Sequence, residues 1–454
     1  MIEVKTKNAV SILVRLRSAL VVALIASFAS GCSTKSSPRT ATIFVSGDTA
    51  GWITPCGCAA NQSGGLPRRA TLIRAAGNND KVLLLDAGGS ASGTSEYHLI
   101  KLQAILNGYR SMNLAAHNIG GPESSLSPAE LKKLANESGV TWVSANLTAK
   151  EFEVSKRIIV ERGGIKIAIT GVVEPSRITN GDWSASEPVQ SILSAFAGSD
   201  ADVRIVLAYY DEAGLKKLAE SLPEIDFIVG GPTGQTMNTT QVGPARVLSA
   251  TNKGKFLAKI EVAKKLGGIK VLQCGPAEVR ADIAEDDKQN NNLIQYYATL
   301  EKRNFTATES GIVQTLHNAN ANFKIAGTES CTKCHTDDHT RWESSKHSQA
   351  WFVLQSKGAH VDPYCQQCHT TGYAIDGGFQ GISLTSNRVN VGCENCHGPS
   401  ASHALNPKKK TPFQSREQCL RCHDHENSPE FKYDPFWMKI QHGTLKATVP
   451  STSD

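Results

Sequence analysis

Along the first two thirds of the chain, short apolar runs alternate with amphipathic ones. Residues 41–46, 81–85, 115–119, 141–144, 165–173, 203–208 and 225–229 are rich in Val, Ile and Leu and short for helices, so each predicts a buried strand. Between several of them, 97–112, 128–138 and 211–221 carry apolar residues at helical spacing. Runs 256–262 and 269–274, separated by Ala-Lys-Lys-Leu-Gly-Gly, predict a β-hairpin. This alternation predicts an α/β layered fold with buried central strands, in one domain over 41–303. Its last stretch, 286–303, is a polar helix-like run. Residues 304–324, rich in Asn, Ala and Thr, read as a linker.

Beyond residue 324 the pattern changes, and one short cysteine–histidine pattern occurs four times. Cys331-Thr-Lys-Cys334-His335 and Cys365-Gln-Gln-Cys368-His369 are followed by Cys393-Glu-Asn-Cys396-His397 and Cys419-Leu-Arg-Cys422-His423. C-x-x-C-H is the attachment signature of c-type haem. Two thiols three residues apart form thioethers with the vinyl groups of one porphyrin, and the adjacent imidazole then lies under the iron. A single copy also suits a zinc half-site or a redox dithiol. Four copies, each ending in His, point to four covalently bound haem c, with His335, His369, His397 and His423 as proximal ligands. The motif starts are 34, 28 and 26 residues apart. So short a stretch builds little side-chain core, and the porphyrins themselves must supply most of it. Residues 325–447 therefore predict a mostly helical or irregular multihaem cytochrome c domain, dense enough for rapid electron hopping.

The N-terminus bears on where this happens. Residues 1–31 read as an export signal: a basic region ending at Arg17, then an apolar stretch at 18–30 too short for a permanent anchor. Ala29-Ser30-Gly31-Cys32 resembles a bacterial lipobox, which would make Cys32 the lipidated N-terminus; the alternative is an ordinary signal peptide cut near the same place. Ser33 after it fits outer-membrane sorting, and 32–40 is a polar tether. The expected location is the periplasmic side of a bacterial membrane, most simply the outer one. Covalent haem attachment agrees, since it occurs beyond the cytoplasmic membrane.

Composition adds little. The chain has 454 residues, 40% hydrophobic and 20% charged, as in ordinary globular proteins. Lys5, Lys7, Arg15 and Arg17 against Glu3 account for +3 of the formal net charge of +6, all within the export segment. A nucleic-acid surface is not indicated. Of 12 cysteines, eight hold haem and Cys32 is the lipid candidate, leaving Cys56, Cys58 and Cys274. Cys274 follows an apolar strand and reads as an inert buried thiol.

In the α/β region the order of landmarks resembles the metallophosphoesterase domain of the periplasmic 5′-nucleotidase family. Asp48-Thr-Ala-Gly51, Gly64-Gly-Leu-Pro-Arg-Arg69, Asp86-Ala-Gly-Gly89, Gly120-Gly-Pro-Glu123 and Ser144-Ala-Asn-Leu147 match that family's motifs in turn. Leu207-Ala-Tyr209 and Gly231-Pro-Thr-Gly234 complete the series. The family's metal-holding histidines are replaced here by Ala50, Pro122, Tyr209, Pro232 and Gly234. Its second Asp is Gly89 and its bridging Asn is Gly121. Asp48 and Asp86 alone do not make a dinuclear centre, so the resemblance implies the scaffold without phosphoester hydrolysis. Pro55-Cys56-Gly-Cys58 sits in the loop after the first strand and, with Gly-Gly-Leu-Pro-Arg-Arg, is similar to a P-C-G-C group of nucleotidase-like proteins, some with selenocysteine. Beside Arg68 and Arg69, Cys56 and Cys58 suit a redox dithiol, a soft-metal site, or a structural pair.

The C-terminal segment resembles the tetrahaem cytochromes that accept electrons from hydroxylamine oxidation. Trp342-Glu-Ser-Ser-Lys-His347-Ser-Gln-Ala350, His369-Thr-Thr-Gly-Tyr373 and Val391-Gly-Cys-Glu-Asn-Cys-His-Gly-Pro399 with His403 carry the likeness. Seven histidines beyond residue 303 lie outside the motifs: His317, His339, His347, His360, His403, His425 and His442. The resemblance implies His347, His403 and His442 as distal ligands. It also implies that the haem on Cys365 and Cys368 lacks a sixth protein ligand, unless His360 fills that place.

Two function classes stay open from sequence. One is a lipid-anchored tetrahaem electron carrier with an unknown donor and acceptor protein, its α/β domain presenting Cys56 and Cys58. The other is a haem enzyme acting on a small nitrogen or sulfur compound at an open iron. A metallophosphatase stands well behind both.

Overall fold

The strand-length apolar runs become the central strands of two six-stranded sheets. The computed structural model describes residues 38–55, 62–251, 253–312, 323–411, 413 and 415–443. The 1–31 export segment, Cys32, Cys56, Cys58 and His317 lie outside the described residues. In chain order the strands are β1 (Thr40–Ser46), β2 (Val82–Asp86), β3 (Leu114–Asn118), β4 (Trp142–Val143), β5 (Leu147–Thr148), β6 (Ile158–Arg162) and β7 (Ile165–Val173). They continue with β8 (Ser184–Ala185), β9 (Val203–Tyr209), β10 (Phe227–Gly231), β11 (Met237–Val242), β12 (Ala245–Ser249), β13 (Phe256–Lys265) and β14 (Gly268–Glu278). One sheet runs β14-β13-β1-β2-β3-β4 and the other β11-β12-β10-β9-β7-β6, with β5 and β8 forming a small pair.

Within each sheet the inner strands are parallel, and antiparallel neighbours close the edges: the β13–β14 hairpin on one, β6 and β11 on the other. Parallel strands with both faces covered read as continuous apolar runs, as β2 (Val-Leu-Leu-Leu-Asp, buried throughout) does. Alternation decides which face each residue serves. Ile43, Val45, Leu83 and Leu85 join Ile167, Ile169, Ile205 and Leu207 in the core between the sheets. Phe44, Val82 and Leu84 point the other way, into a core shared with the helices Leu66–Ala75, Glu96–Ser111 and Asp287–Arg303. Helices Pro188–Phe196 and Glu212–Ser221 cover the outer face of the second sheet. The result is a four-layer α/β sandwich with helices on both outer faces.

The helix Asp287–Arg303 starts where Asp286 accepts a bond from the Gln289 amide at 3.1 Å, and ends at Asn304 in the left-handed region. Its buried residues, Gln289, Tyr296 and Leu300, form a narrow stripe. That stripe is why a run so polar still docks. Phe305, Ala307 and Ser310, in the stretch expected as linker, are buried as well. The Ser310 and Tyr373 hydroxyls lie 3.0 Å apart, so this stretch packs onto the C-terminal segment.

From Thr328 onward the helices are short: Thr328–Cys331, Thr336–Glu343, Ala350–Gln355, Pro363–His369, Cys393–His397, Ala401–Leu405, Ser415–Leu420 and Tyr433–Ile440. Their side-chain core is one small cluster of Ala307, Trp351, Leu354, Ala359, Tyr373 and Phe379. Among the described residues, no helix is long and apolar enough to cross a membrane.

Candidate functional site

The four C-x-x-C-H motifs fold against one another. The Cys331 and Cys393 thiols are neighbours, as are those of Cys422 and Cys368, and Cys396 lies near Cys419 and Cys422. Motif one therefore neighbours motif three, and motif four neighbours both motif two and motif three. Glu394, an interior residue of the third motif, is buried and accepts bonds from the amides of Ala326 (2.8 Å), Gly327 (2.7 Å) and Ser400 (2.7 Å). It ties that motif to the chain entering the first. Sequence reading missed Glu394, because the x positions of such a motif carry no signal.

The histidines pair across the segment. The rings of His335 and His403 have centroids 6.3 Å apart, those of His347 and His423 6.1 Å, and those of His397 and His442 5.7 Å. Each pair joins one motif histidine to one outside the motifs. Two metal–nitrogen bonds of about 2 Å, each with a ring centre about 1 Å further on, add to roughly 6 Å. The residues therefore fit an iron held between two imidazoles.

Backbone and hydroxyl partners hold several of these rings through Nδ1, which leaves Nε2 as the nitrogen available to a metal. His369 Nδ1 bonds to the Ala350 carbonyl at 2.7 Å, His403 Nδ1 to that of Lys409 at 3.1 Å, and His442 Nδ1 to that of Ile440 at 2.8 Å. His423 Nδ1 lies 3.1 Å from the Ser428 hydroxyl. Burial lowers the pKa of His347, His369, His397 and His423, which keeps each imidazole in its neutral, metal-binding form. Of the remaining candidates, His339 packs on Trp342 with centroids 5.3 Å apart. His360 lies edge-on to Trp351 at 5.9 Å, with its Nδ1 buried and lacking a hydrogen-bond partner.

At the ends of β1 to β3 lies the second candidate site. Asp86 accepts from the Tyr109 hydroxyl (2.7 Å) and the Gly88 amide (2.8 Å), and His117 Nε2 stands 3.4 Å away. Arg69, wholly buried, donates to Ser46 Oγ (2.8 Å) and to the Tyr109 hydroxyl (3.0 Å), so its charge belongs to this interior network. Arg68 donates to the Gln62 carbonyl at 2.6 Å. His117 is a second miss: one imidazole inside an apolar strand run has no periodic signature.

Asp48, at φ 49°, has its carboxyl pKa pushed up to about 6, by burial first and by the charge of Glu123 second. The Tyr209 ring occupies the space between these strand ends. A Cβ on Gly89 would stand 2.9 Å from Tyr209 Cε2, one on Gly120 2.7 Å from Cδ2, and one on Gly121 3.1 Å from Cε1. Three glycines thus make room for one phenol ring. Among the described residues, no three His, Cys, Asp or Glu side chains converge as a metal-ligand set.

The two regions touch. The Trp52 and Tyr364 rings meet edge-on at 6.0 Å, four residues before Cys56 and one before Cys365. Lys253 lies over the Trp52 ring at 4.9 Å, and Lys255 pairs with Glu426 at 2.8 Å.

Residues 330–398, spanning the first three motifs, match the family model described as cytochrome c554 and c-prime. Cytochrome c-554 of Nitrosomonas europaea is 28% identical over 160 residues, which covers 26% of this chain and 68% of that one. The α/β part is similar in fold to Thermus thermophilus sulfate thiohydrolase SoxB solved with glycerol: 17% identity, TM-score 0.50, 59% of this chain and 62% of that one. It is equally similar to Haemophilus influenzae NAD nucleotidase (NadN): 14% identity, TM-score 0.50, 58% and 60%. The chain spans about three fifths of the length of these two structures, and at such identities the likeness is one of fold. A nucleotidase-like α/β fold and a multihaem-cytochrome-like segment are joined in one chain.

Proposed function

We propose that the protein is an exported tetrahaem c-type cytochrome that carries electrons between partner proteins on the periplasmic side of the membrane. The carrying observation is the set of three histidine pairs at 5.7 to 6.3 Å, each uniting a motif histidine with a distant one. On this reading Cys331 and Cys334, Cys365 and Cys368, Cys393 and Cys396, and Cys419 and Cys422 hold one haem each by thioether bonds. His335, His369, His397 and His423 are the proximal ligands. His403, His347 and His442 stand opposite His335, His423 and His397. Haem supplies one-electron exchange at the iron when bound, and the chain's part is to orient the imidazoles that would hold it. Measuring haem per chain tests this, with four the number required.

The α/β part acts as a scaffold without phosphoester hydrolysis. Tyr209 fills the space framed by Gly89, Gly120 and Gly121, and Asp48 and Asp86 are the carboxylates left at the matching landmarks. A dinuclear metal site needs bridging and terminal ligands that these residues do not supply. Metal-dependent release of phosphate from nucleotides by the purified protein would refute this.

Cys56 and Cys58 complete the account as a redox dithiol coupled to the haems. Closing a disulfide releases two electrons and two protons: the electrons pass singly to two haems, and the protons go to solvent. The Trp52–Tyr364 contact supports the coupling, since it links the chain entering Cys56 to the residue preceding Cys365. On the same reading residues 1–31 are an export signal and Cys32 is the lipid anchor, so that the protein works beyond the cytoplasmic membrane.

A further inference from the structure

Asp362 stands three residues before Cys365 and caps the helix Pro363–His369, its Oδ1 accepting from the Tyr364 amide at 2.9 Å. Its other donors come from the α/β part. The Tyr97 hydroxyl donates to Oδ1 at 2.6 Å and the Tyr296 hydroxyl to Oδ2 at 3.0 Å. Tyr97 lies on the helix Glu96–Ser111 and Tyr296 on Asp287–Arg303, so two helices reach one carboxyl. Behind Tyr97, Lys101 donates Nζ to the phenol oxygen at 2.9 Å and lies 4.7 Å over the Tyr364 ring.

All of this is out of water: Asp362 is 5% exposed, Tyr97 1%, Tyr296 3% and Lys101 9%. Burial first, and the Asp362 charge second, hold both phenols well above the ordinary tyrosine range. They therefore stay O–H donors, and every partner of the Asp362 carboxyl oxygens named here is a donor. A buried charge acts over longer distances than one in water, because little solvent screens it. Hydrogen-bonded clusters of this kind are more than the packing of two surfaces requires.

We propose that Asp362, held by Tyr97, Tyr296 and Lys101, is a positioning residue through which the α/β part fixes the Cys365–His369 helix and sets the reduction potential of the haem attached there. The inference rests on the tetrahaem reading above. The negative charge of Asp362 favours the oxidised iron, and the positive charge of Lys101 opposes it. Reduction adds one electron at that iron and needs no proton from the cluster.

The test uses the full-length haem-loaded protein, with haem per chain counted first and the potentials then followed by spectroelectrochemical titration. Fewer than four haems in the wild-type protein would overturn the tetrahaem reading itself, before any potential is compared. With four present, Asp362→Asn keeps size and cap. It is expected to raise one potential of four, shifting the oxidised-to-reduced ratio of that haem about tenfold at fixed ambient potential, or 59 mV for one electron. Lys101→Met is expected to lower the same potential by a smaller factor. Opposite signs are the diagnostic, because loosened packing that admits water would move the haem one way in both variants. Unchanged potentials in both, or shifts of the same sign, would overturn the proposal. Should Asp362→Asn not accumulate, Lys101→Met decides alone: one lowered potential supports the clamp, and an unchanged or raised one rejects it.

Discussion

The imidazoles of His347 and His423 lie 6.1 Å apart, joining a histidine that follows the first attachment motif to the last motif of the chain. The other two pairs cross in the same manner, His335 with His403 and His397 with His442. On the proposed reading, none of these three motifs completes its iron site from neighbouring sequence. The segment would then fold as an interlocked unit around its haems, which accounts for so small a side-chain core.

Replacing His347 with alanine tests one crossing alone. One low-spin haem of four is expected to become high-spin and to bind carbon monoxide when reduced, with the other three signals unchanged. Loss of the signal from His335's haem, rather than His423's, would show the pairing to be wrong.

Gly89→Asp restores one landmark of the nucleotidase-like pattern. Its Cβ would meet Tyr209 at 2.9 Å and Asp48 Cα at 3.0 Å, at a φ of +83° that L-residues avoid. A loss of about 1–3 kcal/mol is expected from the overpacking. Thermal melting reads it, and an unchanged melting temperature would mean that Tyr209 does not fill this space.

Asp48 gives a pH dependence. Its folded-state pKa of about 6 lies above the ordinary 3.8, so the folded protein binds the proton more tightly. Stability then falls as pH rises through that window: the cost of the charge is absent below about pH 4 and complete above about pH 6. Asp48→Asn removes it, on the order of 1–3 kcal/mol at neutral pH. The stability gap between variant and wild type should open between pH 4 and 6 and stay level above. A gap independent of pH would contradict the burial argument.

Alkylating Cys56 and Cys58 separates the coupled dithiol from a bystander. In anaerobic mixing with a dithiol reductant, modified protein is expected to reduce its haems several-fold more slowly than unmodified protein. Equal rates would remove the dithiol from the account.

Much of this was legible in the sequence, and what was not has a physical cause. The central strands announced themselves because both faces are buried, and the haem motifs because attachment demands fixed spacing. The helix Leu66–Ala75 did not, since Arg68 and Arg69 interrupt its apolar pattern and Arg69 is nonetheless buried. Strands β6 and β11 lie at edges, where half-exposed residues blur the alternation. Long-range polar contacts left no local trace at all. Glu394, His117 and the Tyr97–Asp362–Tyr296 cluster are set by tertiary structure, and only coordinates bring their partners together. Within the stretch 304–324 that reads as a linker, Phe305, Ala307 and Ser310 look polar-flanked in sequence yet pack inside.

The proposed function requires haem irons held between paired imidazoles. Electron paramagnetic resonance on the oxidised full-length protein, with haem counted on the same sample, decides whether they are. Four haems per chain with at least three low-spin are predicted, and the spin state of the fourth reports whether His369's iron is closed for electron transfer or open for chemistry. Fewer than four haems, or more than one high-spin iron, would contradict the account.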